Sequence, residues 1–128
     1  MSELPEELKY AATHEWIKIE DDNIVVAGIT EFAQEQLGDI VFLELPEPGA
    51  LVKAQQPCAI VESVKTASDL YSPVTGTVLE RNDNAIDEPD RVNETPYETW
   101  LFKIKADSLS DLDNLLSADG YQSLINNQ

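Results

Sequence analysis

A chain of 128 residues fits one domain, residues 1–128, and its 42% hydrophobic content suffices for a modest core. Twenty-five acidic against eight basic residues give a formal charge of −17, which would repel a phosphate backbone over nearly the whole surface and argues against nucleic acid as a partner. The longest apolar runs are too short to span a bilayer, and the acidic start Met1-Ser2-Glu3-Leu4-Pro5-Glu6-Glu7 is unlike a secretory or mitochondrial address, so no membrane partner and a cytoplasmic location are expected.

In chain order, residues 1–8 read as loosely ordered, and order begins near Lys9-Tyr10. The segment 14–20 and Ile24-Val25-Val26-Ala27-Gly28-Ile29, joined by Asp21-Asp22-Asn23, predict a β-hairpin. Trp16, Ile17 and Ile19 cannot share one face, which calls for a bulge or a covered second face. Thr30 can cap a short helix over 31–37 that Gly38 stops. Strands follow at 39–45, around 51–53, at 57–61, and at 76–80, with a polar loop expected over 81–90 and irregular chain over 91–99. A last strand spans 100–105. Ser108 or Ser110, and then Ser117, can cap helices that carry Leu112, Leu115, Leu116, Tyr121, Leu124 and Ile125, placing carboxyl-terminal helices near 108–125.

The stretch Glu62-Ser63-Val64-Lys65-Thr66-Ala67-Ser68-Asp69 lies between an apolar strand and the returning Leu70-Tyr71-Ser72-Pro73, so Lys65 occupies a hairpin tip. It is one of six lysines, its neighbours are small or acidic, and no base, metal ligand or second cation stands beside it. Such a lysine is equipped to be a substrate for acylation of its amine, rather than a catalyst. The bland alternative is a lysine that keeps a turn solvated. Cys58, the single cysteine, cannot form an internal disulfide and reads as a small buried residue. His14 has no second histidine or cysteine at ligand spacing, so a metal site is not expected. No Ser/His/Asp set or phosphate-cradling glycine loop supports an enzyme.

Glu62-Ser63-Val64-Lys65 with Ser68-Asp69, Pro73 and Gly76 resembles the lipoyl-attachment hairpin of the glycine cleavage system H protein family. Tyr10, Thr13-His14-Glu15-Trp16, Gly28-Ile29-Thr30, the run 33–39, Leu45-Pro46, Asn93 and Pro96-Tyr97 match that family in order, across residues 9–125. The chain departs from its pattern at Thr66, at Gln55-Gln56 in place of a glycine-containing turn, and in a shortened 96–100 segment. The resemblance implies a mainly β, lipoyl/biotinyl-type barrel-sandwich hybrid of antiparallel sheets with short helices at the edges. It implies lipoate in amide linkage on Lys65, with Glu62, Ser63, Val64, Ser68 and Asp69 read by a lipoylating enzyme, and a cleft in which Glu15 and Asp69 receive the arm. The implied role is a non-enzymatic carrier of bacterial type, monomeric in isolation. It would take an aminomethyl group from glycine decarboxylase to aminomethyltransferase, and electrons to dihydrolipoamide dehydrogenase. Two alternatives stand beside it: a relay that hands lipoate to other lipoyl proteins, and an unmodified interaction module.

Overall fold

Among the described residues the alternation of apolar and polar residues resolves into nine strands in two antiparallel sheets. The computed structural model describes residues 4–127. The larger sheet contains β1 (Lys9–Tyr10), β2 (Glu15–Glu20), β3 (Ile24–Ile29), β5 (Leu51–Val52), β8 (Gly76–Arg81) and β9 (Phe102–Ala106), in the order β1-β2-β3-β9-β8-β5. The smaller is β4 (Ile40–Glu44), β6 (Pro57–Ser63) and β7 (Ala67–Tyr71), in the order β4-β6-β7. Ile17, Val25, Ala27 and Ile29 of the first meet Leu43, Val61 and Leu70 of the second in one core, where each fully buried aliphatic side chain is worth about 1.5–3 kcal/mol. The expected barrel-sandwich of antiparallel sheets is the architecture found. Among the described residues no helix is long and apolar enough to cross a membrane.

The conflict among Trp16, Ile17 and Ile19 is resolved by a covered second face. The β2–β3 register runs without a break, Ile17 enters the main core, and Ile19 stays largely exposed. Trp16 joins a second cluster with Leu8, Tyr10, Val26, Ala118 and Tyr121, in which the rings of Tyr10 and Tyr121 stack at 5.0 Å. That cluster also corrects the amino terminus. Leu8 is buried and the Tyr10 hydroxyl donates to the Pro5 carbonyl, so residues 4–8 dock, while residues 1–3 lie outside the described residues.

Helix α1 (Glu31–Leu37) forms as expected, with the Thr30 hydroxyl accepting from the Ala33 amide at 3.1 Å and Gly38 ending it at φ +82°. The loop expected over 81–90 contains a short helix, α2 (Asp83–Asp87), and the chain expected to be irregular over 91–99 begins with a second, α3 (Asp90–Glu94). Their residues are polar, but Ala85 and Val92 are fully buried and the Asn82 side chain accepts from the Ala85 amide, so packing and a cap override the local signal. Ser110–Asn114 is a 3-10 turn without a side-chain cap, whereas Ser117 caps α4 (Ala118–Asn126) as read, accepting from Gly120 at 3.1 Å.

The three departures from the family pattern are each accommodated. Thr66 has its side chain exposed, and the 96–100 segment docks through the Trp16 indole, which donates to the Pro96 carbonyl at 2.9 Å. Gln55 sits at φ +66°, a left-handed conformation that disfavours a Cβ, while its amide donates to the Ser72 carbonyl at 2.7 Å. We therefore expect Gln55→Gly to raise stability by about 0.5 kcal/mol, the relieved strain outweighing glycine's greater unfolded-state entropy, while Gln56→Gly next to it lowers stability by about 0.5–1 kcal/mol. Urea melts of the two variants check the opposite signs.

Candidate functional site

The β6–β7 hairpin leaves Val64, Lys65 and Thr66 as its tip, and Ser63 builds the turn. Its amide donates to the Thr66 carbonyl at 2.8 Å, and its hydroxyl oxygen accepts from the amides of Lys65 and Thr66, both at 3.2 Å. A short hydroxyl side chain thus satisfies donors that a tight turn would otherwise leave to water. Glu62 pairs with Ala67, Val61 with Ser68 and Ile60 with Asp69, so Ala67, Ser68 and Asp69 run exposed along the strand below the lysine.

A second support comes from the turn between α1 and β4. The Val64 amide donates to the Asp39 carbonyl at 3.0 Å, tying the tip to that turn. Gly38 lies beneath the lysine: a Cβ there would stand 3.0 Å from Lys65 Cε and 3.7 Å from Nζ. Asn93, from α3, braces the turn from behind. Its Oδ1 accepts from the Ile40 amide at 2.9 Å, and its Nδ2 donates to the Gly38 carbonyl at 2.8 Å and to Gln34 Oε1 at 2.9 Å. Sequence reading gave Asn93 a matching position but no role, because its partners lie more than fifty residues away. Lys65 is exposed and forms no ion pair among the described residues. A fixed backbone carrying a free amine suits an acyl acceptor.

Glu15 and Asp69 do not share one cavity. Asp69 lines a groove of about 190 Å³ with Thr13, His14, Phe32, Gln36 and Leu37. Glu15 is 2% exposed and lines a neighbouring cleft of about 440 Å³ with Gln55, Tyr71, Asp111 and Asn114. Thr13 lines both. Its hydroxyl donates to Glu15 Oε1, while the Tyr71 amide at the end of β7 donates to Oε2 at 3.1 Å. Glu15 thereby ties β2 of the large sheet to the lysine hairpin of the small one.

Burial pushes the Glu15 carboxyl up to about 7, against the opposing pull of its Thr13 and Tyr71 hydrogen bonds. Burial, reinforced by the charge of Glu15, pushes the Cys58 thiol up to about 12, which leaves it protonated and unreactive. Burial also lowers the pKa of His14, whose Nδ1 lies 2.7 Å from the Tyr121 hydroxyl; that hydroxyl is 2.8 Å from the Thr30 hydroxyl and so joins α4 to the cap of α1.

Fold and hairpin together define a swinging-arm carrier domain, a barrel-sandwich that presents one lysine on a braced turn. A family model described as glycine cleavage H-protein matches residues 8–128. The glycine cleavage system H protein of Methylococcus capsulatus is 51% identical over 124 residues, covering 97% of this chain and 98% of that one. That of Ralstonia nicotianae is 54% identical over 123 residues, covering 96% and 97%. The crystal structure of a glycine cleavage system H protein from Mycobacterium marinum matches with a TM-score of 0.89 at 39% identity, over 96% of this chain and 99% of the other. The chain belongs to the glycine cleavage H-protein family, whose members are lipoyl carriers and not catalysts.

Glu15 has a pH signature. Its folded pKa, near 7, lies above its ordinary value of 4.5, so between those values the folded state keeps a proton that the unfolded chain has released. Stability from that proton is full below pH 4.5 and is lost as pH rises through 7. The stability difference between wild type and Glu15→Gln should fall by about 3 kcal/mol from pH 4.5 to 7.5 in denaturant melts. Parallel curves would contradict the assignment.

Proposed function

We propose that this chain carries lipoate in amide linkage on Lys65 and serves glycine cleavage. In this reading it moves an aminomethyl group from glycine decarboxylase to aminomethyltransferase, and electrons to dihydrolipoamide dehydrogenase, in a bacterial cytoplasm. The observation that carries the reading is the pairing of an exposed Lys65 amine with a backbone held on two sides, by Ser63 within the turn and by Asp39 beneath it. The residues fit the group: no acid ties up the amine among the described residues, and Ala67 and Ser68 leave the flank of the tip narrow. Acylation removes one positive charge and takes the formal charge from −17 to −18, since an amide does not protonate.

Bound lipoate supplies two sulfurs that accept and release the carried group and the electrons. Everything else falls to the protein. The fixed tip confines the arm's reach, which raises the effective concentration of its far end at any docked enzyme. Glu62, Ser63, Val64, Ser68 and Asp69 present the lysine to the lipoylating enzyme. Asp69 and Glu15, in neighbouring grooves that share Thr13 as a lining residue, offer negative charge to a cationic amine at the arm's end. Such an amine beside Glu15 would also favour the ionised form of a carboxyl poised near 7.

In a system reconstituted from the three partner enzymes, lipoylated protein should support glycine-dependent formation of the one-carbon product, and Lys65→Arg should abolish it. An active Lys65→Arg protein would refute the reading. With aminomethyl-loaded protein, formaldehyde release should be about twofold to fivefold faster in Asp69→Ala, the worth of an exposed charge pair, and faster still in Glu15→Ala. Unchanged release in both variants would rule out the two carboxylates as the arm's anchors.

A further inference from the structure

Strand β4 breaks its own alternation beside the lysine. Ile40 pairs with Ser63 and Phe42 with Glu62, two steps on β4 against one on β6, so a bulge sits at Val41. Ile40 and Leu43 both face the core as a result, and the apolar neighbours between them both turn outward, Val41 at 55% and Phe42 at 47% exposed. Val64, 67% exposed, stands at the hairpin tip beside the entry to this strand, its amide bonded to the Asp39 carbonyl in the turn that leads into β4. Among the described residues the other large apolar side chains that are exposed, Ile19, Leu51 and Leu79, lie on the six-stranded sheet.

The rim of this patch is acidic. Asp39, Glu44 and Glu62 are exposed around it, and between residues 31 and 80 the only basic residues are Lys53 and Lys65 itself. We propose that Val41, Phe42 and Val64 form the docking surface for the enzyme that acylates Lys65, and that this enzyme meets them with an apolar contact flanked by basic side chains. The inference rests on the acylation of Lys65 proposed above.

Reaction geometry selects that occupant. In the acylation, Lys65 Nζ as the free amine attacks the carbonyl carbon of an activated lipoate such as the acyl adenylate. The C–N bond forms, the C–O bond to phosphate breaks with its electron pair leaving on the adenylate, and the ammonium proton passes to solvent. The acyl carbon must come within bonding distance of Nζ, so this enzyme must cover the tip and the strand beside it. Enzymes that act on the sulfurs work at the far end of the arm and have no such need.

The test is initial-rate lipoylation by a purified lipoate ligase with lipoate and ATP, followed by intact mass, for wild type, Val41→Ser/Phe42→Ser and Leu51→Ser. The double variant should raise KM for the carrier about tenfold with kcat nearly unchanged and an unaltered melting curve, as loss of a central apolar contact predicts, while Leu51→Ser behaves as wild type. Added salt should raise the wild-type KM as the charged rim is screened. Equal KM for the double variant and wild type would overturn the docking surface while leaving Lys65 as the acceptor. Failure of wild type to take up lipoate would overturn the Lys65 reading, and this surface with it.

Discussion

The hydrogen bond from the Val64 amide to the Asp39 carbonyl is the constraint on which the function of this fold depends. A two-stranded hairpin is only marginally ordered alone, and a tip free to pivot would spread its lysine over many positions. The bond fastens the tip to the α1–β4 turn. That turn is in turn held by Asn93, which reaches Gly38 and Ile40 from α3, and α3 is anchored through buried Val92. Rigidity at Lys65 is therefore borrowed from the core by a short chain of hydrogen bonds, through the Val64 backbone and the Asn93 side chain, and the lysine side chain forms no ion pair among the described residues.

Glu15 links the other end of the hairpin to the large sheet. A buried carboxyl is costly when charged, and this one is retained with both oxygens bonded and its pKa near neutrality. It is thus a brace between the sheets whose carboxyl is poised near neutrality. Asp69 lines the smaller groove, which shares Thr13 with the cleft of Glu15.

What the sequence made legible follows from how local each signal is. The hairpins, the Thr30 and Ser117 caps, the Gly38 stop and the Lys65 tip rest on contacts within a few residues, and all are found where they were read. Helices α2 and α3 were not legible, because Asp83-Asn84 and Asp90-Arg91 are turn-like, and the burial of Ala85 and Val92, with the Asn82 cap on α2, outweighs that local signal. The bulge in β4 was equally hidden: Ile40-Val41-Phe42-Leu43 is apolar throughout, so no alternation marks which two side chains turn out. Glu15 and Asp69 were both named, yet their division between two grooves depends on Thr13 and Tyr71, which no spacing rule connects.

Covalent loading of Lys65 can be read from peptide-resolved mass spectrometry of protein expressed in a lipoate-replete host with a competent ligase. A single lipoyl-sized increment confined to the peptide that contains Lys65 is expected. Protein that stays unmodified under those conditions, or that carries the increment on any of the other five lysines, would contradict loading at Lys65.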